Sequence, residues 1–477
     1  MHGGPPAIAD RRLGALALVV ATALALAIQT AAFMSSPPDP RAGDGPTYIE
    51  PAQNLARGRG FVAAAPLAAS VHHTPVRSSA PDTLRTPGYP LLLATALVLG
   101  LPLAAVVALQ HLLVVGMTLV VFLVTERMTG RWSSAFAAAI FLALFPPLVG
   151  TTPPYMGATH EYMTDVVGAA VILAAMLAAW RAAQGMTGWA VAAGLLSGAA
   201  TLVRPIALLW FVPLAIVIAT RARRAAVVFT IAAVFLPGAW IARNQRATGV
   251  ATISSIGGEN LLFFRASGAL VVADSPPGFG FFALQRQTGF YRNADAWKAR
   301  LARQAYAEMR RDGLEPLRLP HAVLAQRYSQ LAARILLRHI PETIELACSA
   351  LIEIFIGPFI YPLGSFGIVI GLYVFAAACI GLWQLERTFR ILSIVTICYF
   401  SLMAAGPEAE IRFAIAFAPA YAIAFGAGIT RISEYIVRRA REARAPADPT
   451  RRRAPAAGWR GPAQGHDPCR SASTAAA

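Results

Sequence analysis

Charged residues are scarce in this chain: they make up 14% of its 477 residues, whereas hydrophobic residues make up 56%. Charged side chains normally cover the surface of a soluble protein, and here they are too few to cover a core that would hold so much apolar material. The composition therefore excludes a soluble globular protein. It predicts an all-α, polytopic integral membrane protein.

Cysteine is also rare, and its spacing is uninformative. None of the four cysteines forms a CxxC pair, and three of them lie in or beside apolar segments: Cys348, Cys379, Cys398 and Cys469. They predict neither a disulfide framework nor a zinc site. The histidines His72, His73 and His160 show no recurring ligand spacing, and we interpret them as loop residues. No metal and no other cofactor is predicted.

Acidic residues are the less common charge, since 24 of them face 41 basic residues and leave a formal charge of +17. In a soluble protein this excess would suggest nucleic acid. Here the basic residues fall between apolar runs and in an Arg/Pro/Ala-rich end, where attraction to anionic lipid headgroups explains them. We predict membrane lipids and no nucleic acid as partners, a transmembrane domain over residues 1–433, and a disordered cytoplasmic tail over residues 434–477.

Ten apolar runs predict membrane-spanning helices, although several are shorter than the ~20 residues of a straight span. They lie at 13–33, 103–125, 134–150, 164–180, 188–203, 205–220, 224–242, 366–385, 389–405 and 411–431. The first run exceeds the ~7 to 15 apolar residues of a signal peptide, so we interpret it as an uncleaved helix.

The basic connections place the N-terminus in the cytoplasm, because Lys and Arg concentrate in cytoplasmic loops. This leaves residues 34–102 and 243–346 as long outer loops. The same parity argument makes residues 91–99 an interfacial helix and residues 347–363 a re-entrant or interfacial one.

The second outer loop contains two kinds of segment. Residues 254–260 and 275–278 are rich in Ser, Gly and Pro and predict loops. Residues 295–311 and 321–339 have helical periodicity and predict two amphipathic helices. These helices either rest on the bilayer or form a lid or acceptor-docking element over a site.

Charged residues on the predicted outer side are the candidates for chemistry. They are Asp44, Glu50, Arg85, Glu161, Arg204, Arg243, Glu408, Glu410 and Arg412. Asp44 lies in a Gly-Asp-Gly-Pro setting and is either a turn residue or a catalytic one. Glu161 is either a site residue or a solvated loop residue, and Arg204 could snorkel at a helix end. Arg412 opens an outer helix end where the dipole is already positive, which indicates an anionic partner such as phosphate.

Several short motifs together resemble a known class of membrane enzymes, and they span residues 10–431 in that class's order. They are Asp44 with Tyr48, Ala52, Leu55, Gly58 and Phe61; the run from Arg85 to Pro90; Leu202 to Pro205; Pro237, Trp240, Arg243 and Asn244; and Glu410 to Phe413 before Pro419. This ordered set resembles the GT-C glycosyltransferases. It is most similar to the bacterial branch related to protein O-mannosyltransferases and the lipid A aminoarabinose transferase.

The resemblance implies transfer of a sugar, with inversion, from a polyprenyl-phosphate carrier to an envelope acceptor at the outer face of a bacterial inner membrane. Asp44 would be the general base, since a carboxylate must take the proton of the acceptor hydroxyl. The family often has a second acid directly after this Asp. Gly45 stands there instead, so either Glu161 or Glu50 substitutes, or a metal-assisted role is absent.

The leaving phosphate needs cationic donors, and a guanidinium binds phosphate in a bidentate manner. The four candidate lipid-phosphate ligands are Arg412, Arg204, Arg243 and Arg85. The alternative function is a transporter or flippase of lipid-linked sugars. It would favour polar groups at the bilayer midplane and internal repeats, whereas the centres of these apolar runs are mainly Ala, Leu, Val, Ile and Phe.

Overall fold

The structure is a computed structural model, and it describes residues 8–62, 81–150, 159–276, 288–406 and 411–444. Every regular element in these ranges is a helix, and their one β pairing is an isolated bridge between Val62 and Pro81. The predicted all-α class is confirmed.

Sixteen helices of nine or more residues follow one another along the described chain. They are α1 Ile8–Ser35, α2 Gly45–Ala56, α3 Gly88–Val98, α4 Ala104–Thr129, α5 Trp132–Ala143, α6 Asp165–Ala182, α7 Thr187–Val203, α8 Phe211–Ala219, α9 Arg223–Thr248, α10 Ile256–Ala273, α11 Thr288–Arg311, α12 His321–Arg338, α13 Ile340–Leu363, α14 Ser365–Leu382, α15 Arg387–Ala404 and α16 Ala418–Arg444.

Eight helices of the described residues are long and apolar enough to cross a membrane. They are Asp10–Ser35, Ala104–Thr129, Asp165–Ala182, Arg223–Thr248, Ile256–Ala273, Ile340–Ile360, Ser365–Leu382 and Arg387–Ala404. Six of them coincide with predicted spans. The chain is an all-helical polytopic membrane protein.

The other four predicted spans are shorter or interrupted helices, and proline explains three of the interruptions. The run 134–150 ends as a helix at Ala143, and Pro146 then begins a separate four-residue turn. Pro205 begins a short 3-10 helix ahead of α8, and another 3-10 helix, Ile411–Ala416, precedes α16 with Pro419 in its first turn. Proline cannot continue a helix from the preceding turn, because it lacks an N–H donor and its ring clashes there. The fourth run, 188–203, is the 17-residue α7.

The loop predicted at 254–260 is wrong from Ile256 onward, since residues 256–273 form α10. The Gly257-Gly258 pair was the turn signal, but Gly258 serves helix packing instead. A Cβ at Gly258 would lie 2.1 Å from the Ala325 carbonyl oxygen of α12. Glycine here allows two helix backbones to approach closely, and this close approach explains why the turn prediction failed.

The predictions for neighbouring segments have mixed outcomes. The amphipathic helices expected at 295–311 and 321–339 are present as α11 and α12. Residues 347–363 belong to the 24-residue α13, which contains Pro358 and Pro362 and is long enough to span. The helix expected at 91–99 is the 11-residue α3, whose rise of about 16 Å is too short to span.

The chain divides into two compact units, residues 1–432 and residues 433–477. The described part of the second unit, residues 433–444, is helical, so the predicted disorder at 434 begins too early. Charge pairs at helical spacing support this end of the helix, because Arg438 and Arg439 both lie within 4 Å of Glu442.

Helices α1 and α4 run antiparallel, so their contacts distinguish two ends of the first unit. Gly14 of α1 lies against Glu126 and Trp132 at one end. At the other end, Gln29 of α1 is hydrogen-bonded to His111 of α4, with 2.7 Å between Oε1 and Nδ1. The loop that carries Asp44 follows α1 at this second end.

Candidate functional site

Asp44 lies nine residues after Ser35, the last residue of α1, at the position that caps α2. An aspartate there usually accepts a backbone N–H with its side chain. Asp44 makes no such cap bond and instead pairs with Arg85, with 2.8 Å between Oδ1 and Nη2. Its side chain is 38% exposed, whereas that of Arg85 is 13% exposed. The carboxylate is therefore held by an ion pair and still open to a ligand, which argues against a simple turn residue.

Arg85 is fixed by α2 as well as by Asp44. Its Nε donates to Thr47 Oγ1 at 2.8 Å, and its guanidinium lies 4.6 Å from the centre of the Tyr48 ring. Thr47 Oγ1 in turn donates to the carbonyl of Asp44 at 2.7 Å. Tyr48 packs edge-on against the fully buried Tyr89 of α3. The Asp44–Arg85 pair is therefore held in place by α2, which packs against α3.

Glu161 lies against the residue that precedes Asp44. A Cβ placed on Gly43 would be 2.7 Å from Glu161 Oε2. Glu50 lies six residues further along α2 than Asp44, a rise of about 9 Å. Space is limited at the next position, because a Cβ on Gly45 would meet the Pro40 carbonyl oxygen at 3.0 Å. A side chain directly after Asp44 would therefore be in tight contact with Pro40, and Glu161 is the acid placed beside this loop.

Arg204 and Arg412 are linked by the ring of Phe413. Their guanidinium carbons lie 5.5 Å and 5.6 Å from its centre. Arg204 is buried and forms a salt bridge with the buried Asp165 of α6. Arg412 Nη1 contacts the sulfur of Met163 at 3.2 Å. Both arginines therefore meet the segment that leads from Glu161 into α6.

The arginines set the charge state of Asp44. Burial favours the neutral acid, but Arg85, Arg412 and Arg204 outweigh it and hold the pKa of the Asp44 carboxyl below its ordinary value. Asp44 is consequently ionised throughout the neutral range. Three of the four predicted arginines lower the pKa of Asp44, the predicted base. Their combined positive charge suits an anionic ligand near this carboxylate.

Arg243, the fourth predicted arginine, has a different set of partners. Its guanidinium donates to the carbonyls of Asp82 and Phe61 at 2.7 and 2.8 Å. It also lies 4.8 Å from the Trp240 ring. Phe61 and Asp82 lie next to the Val62–Pro81 bridge, so Arg243 ties together two segments that are distant in the chain. This is a structural role, and sequence reasoning did not foresee it.

Histidines beside the site belong to a hydrogen-bonded chain. His111 bridges Gln29 and His160, and His160 reaches Ser36, with nitrogen-to-partner distances of 2.7, 3.4 and 3.3 Å. Within the described ranges, no group of three or more His, Cys, Asp or Glu side chains could hold a metal ion. His72, His73, Glu408 and Glu410 lie outside the described residues.

Asp165 is the site residue that sequence reasoning missed. An available signal was its position in the first turn of an apolar helix, where a carboxylate is favoured by the helix dipole. Gly168, one turn further on, leaves room for the Arg204 side chain, since a Cβ there would lie 2.7 Å from Arg204 Cδ.

Gly88 joins the Arg85 segment to the end of α7, and its replacement is expected to separate them. A Cβ at Gly88 would lie 2.6 Å from the Leu202 carbonyl oxygen and 2.8 Å from the Val203 nitrogen. Gly88→Ala should destabilise the protein by about 1–3 kcal/mol, the usual cost of overpacking. Thermal unfolding of the detergent-solubilised protein measures this effect.

The matched control is Gly116→Ala in α4, where an added Cβ meets no atom within 4 Å. Alanine favours a helix over glycine by ~1 kcal/mol, so this variant should match or exceed the wild-type midpoint. Equal midpoints for both variants would show that the Gly88 contact is not tight.

No protein-family model and no curated protein matches this chain. Among solved structures, the chain is similar to the archaeal oligosaccharyltransferase AglB from Archaeoglobus fulgidus in complex with an inhibitory peptide and a dolichol-phosphate. The identity is 14%, over 92% of this chain and 53% of AglB, with a TM-score of 0.45.

Two further matches are to the oligosaccharyltransferase of the same organism. For the apo form the identity is 13%, over 89% of this chain and 52% of the other, with a TM-score of 0.46. For the form tethered to an acceptor peptide with an NVT sequon, the identity is 14%, over 88% of this chain and 50% of the other, with a TM-score of 0.42. This chain thus spans about half the length of these enzymes. The resemblance to the GT-C class rests on the sequence motifs, and the bacterial branch stays a prediction.

Proposed function

We propose that this protein is a membrane glycosyltransferase that moves a sugar from a polyprenyl-phosphate carrier to an envelope acceptor. The acceptor would be a glycolipid, a polysaccharide or a protein. One observation carries the proposal: a partly exposed carboxylate, Asp44, is held by Arg85 and lies in the field of Arg412 and Arg204. A base among cations suits a reaction in which a hydroxyl loses a proton while a phosphate leaves.

In the proposed reaction, the acceptor hydroxyl oxygen bonds to the anomeric carbon as the bond from that carbon to the phosphate oxygen breaks. The hydroxyl proton passes to Asp44, and the carrier leaves as a phosphate anion. Because the second pKa of a phosphate monoester is about 6, this leaving group needs cations and no general acid.

The lowered pKa of Asp44 keeps the base in its ionised form, although it also makes the carboxylate a weak base. An incoming phosphate competes for Arg85, and the basicity of Asp44 rises as that ion pair weakens. Arg412 and Arg204 supply the further positive charge that the departing phosphate requires, with Glu161 as the second acid beside the loop. Arg243 retains its structural role in this scheme.

A direct test uses the purified protein with a panel of polyprenyl-phosphate sugars, with and without a chelator. The proposal expects release or transfer of one sugar and an insensitivity to the chelator. In proteoliposomes, movement of the intact lipid-linked sugar without cleavage would establish a transporter instead.

The side of the membrane on which the site lies is a separate expectation, based on the distribution of basic loops. We expect a cysteine at position 300 to react with an impermeant thiol reagent in intact cells and one at position 455 to be protected. The measurement uses Arg300→Cys and Pro455→Cys in a background without the natural cysteines. The opposite pattern would place the site on the cytoplasmic side.

A further inference from the structure

The segment that carries Arg85 is attached to the start of α10. The Ser255 N–H donates to the Thr83 carbonyl at 2.7 Å, and Thr83 Oγ1 lies 3.3 Å from Ser255 Oγ. Ser254 Oγ donates to the Leu84 carbonyl. Two consecutive serines thus hold the two residues that immediately precede Arg85.

Ser255 is also the first member of a buried polar relay. Its Oγ lies 2.6 Å from His321 Nδ1, and His321 Nε2 lies 2.6 Å from Glu259 Oε1. The Ser255 residue is 1% exposed and Glu259 is 6% exposed. Because Ser255 is shielded from solvent, this Ser-His-Glu arrangement does not present a nucleophile to a substrate. It connects α12 and α10 to the Arg85 segment.

The relay can keep its link to Thr83 in either protonation state of His321. With neutral His321, Thr83 Oγ1 donates to Ser255 Oγ, and Ser255 Oγ donates to Nδ1 of His321. The Nε2–H group of His321 donates to Glu259. With protonated His321, Nδ1–H donates to Ser255 Oγ, and the hydroxyl of Ser255 turns toward Thr83. A serine hydroxyl both donates and accepts, so both arrangements are satisfied.

The charges around His321 favour the protonated form. Burial lowers the pKa of His321, but the hydrogen bond and charge of Glu259, together with the charge of Asp82, more than offset it and raise the pKa. Burial raises the pKa of Asp82 to about 6 against the bond from Leu84 N–H and the charges of His321, Arg85 and Arg243. The relay therefore lies beside a carboxyl group, Asp82, that exchanges its proton near pH 6.

We propose that Ser255, His321 and Glu259 are positioning residues that hold Thr83 and thereby keep the Arg85 guanidinium on Asp44. This inference rests on the proposed function for its effect on turnover. Its effect on the Arg85 segment is independent of any enzymatic activity.

Two substitutions of His321 separate positioning from simple filling of the core. The amide of Asn reaches about where Nδ1 lies, so His321→Asn keeps a partner for Ser255. The amide of Gln reaches about where Nε2 lies, so His321→Gln keeps a partner for Glu259 and loses Ser255. We expect kcat to fall ~10-fold in His321→Gln and in Ser255→Ala, since small misplacements at a site cost up to ~10²-fold. His321→Asn should retain most of the activity.

A second readout needs no activity and uses Thr86→Cys in a background without the natural cysteines. Thr86 is 2% exposed, so alkylation of this cysteine reports opening of the segment. The alkylation rate should rise about tenfold with Ser255→Ala or His321→Gln, the scale of one lost buried hydrogen bond. It should stay near the wild-type rate with His321→Asn.

The control variant is Ser267→Ala, which removes an equally buried hydroxyl of α10. That hydroxyl bonds to carbonyls of its own helix, at Phe263 and Phe264. We expect wild-type turnover and wild-type alkylation for it. Equal behaviour of His321→Asn and His321→Gln in the alkylation assay would overturn the positioning role. A relay that behaves as expected in a protein without transfer activity would instead contradict the proposed function alone.

Discussion

Replacement of Asp44 by Asn is expected to lower turnover by ~10²-fold or more, the scale on which a positioned general base contributes. The amide keeps the size of the side chain but cannot take the proton of the acceptor hydroxyl. Affinity for the lipid-phosphate donor should survive, because loss of the carboxylate releases Arg85 from its 2.8 Å ion pair and leaves it available to phosphate. Steady-state kinetics on the purified variant would give turnover and donor KM separately.

Glu161→Gln and Glu50→Gln are the matched controls for this variant, since each changes one of the other two candidate carboxylates to its amide. Glu161→Gln should have an intermediate effect because Glu161 lies against Gly43. Glu50→Gln should have little. Near-normal transfer by Asp44→Asn beside abolished transfer by Glu161→Gln would assign the base to Glu161. Loss of all three variants from the membrane would support a turn-forming role for these acids.

Most of the helical architecture could be predicted because burial in lipid leaves a compositional trace. A helix such as α4 is apolar over most of its length, and no tertiary contact is needed to recognise it. Residue type alone does not predict conformation at every position. Glycine is typical of turns, but Gly258 lies within α10, where it allows close contact with α12. Only the tertiary structure shows this contact.

The arginines show the same limit in the site. Sequence patterns placed Arg85, Arg204 and Arg243 on the predicted outer side and treated all three as candidate phosphate ligands. Partners far apart in the chain decide what each one does: Arg204 pairs with Asp165, whereas Arg243 binds backbone carbonyls of two separate segments. Local sequence carries no information about such partners. The Ser255–His321–Glu259 relay escaped prediction for the same reason.

Replacement of Arg412 by Ala is expected to weaken use of the lipid-phosphate donor. Charge-assisted hydrogen bonds contribute roughly 1.5–3 kcal/mol each, so the loss of one should raise the donor KM about 10- to 100-fold. Arg412→Lys should rescue only part of this, since an ammonium lacks the planar fork that fits phosphate. Donor titrations under single-turnover conditions would measure the effect.

The pH dependence of the same variant gives a second and independent test. Arg412 is one of the three cations that hold the pKa of Asp44 down against burial. Without Arg412 that pKa should rise. Because the base must be ionised, the acidic limb of the kcat/KM profile should move to higher pH.

Arg327→Ala is the control for the lost charge, since Arg327 of α12 forms an exposed pair with Asp312. It removes the same unit of positive charge and should leave both the donor KM and the acidic limb unchanged. A shift of the limb in Arg412→Ala alone would connect Arg412 to Asp44 through the site. Undiminished donor use and an unmoved limb in a well-folded Arg412→Ala protein would exclude Arg412 from the site and leave Arg85 and Arg204 to bind the phosphate.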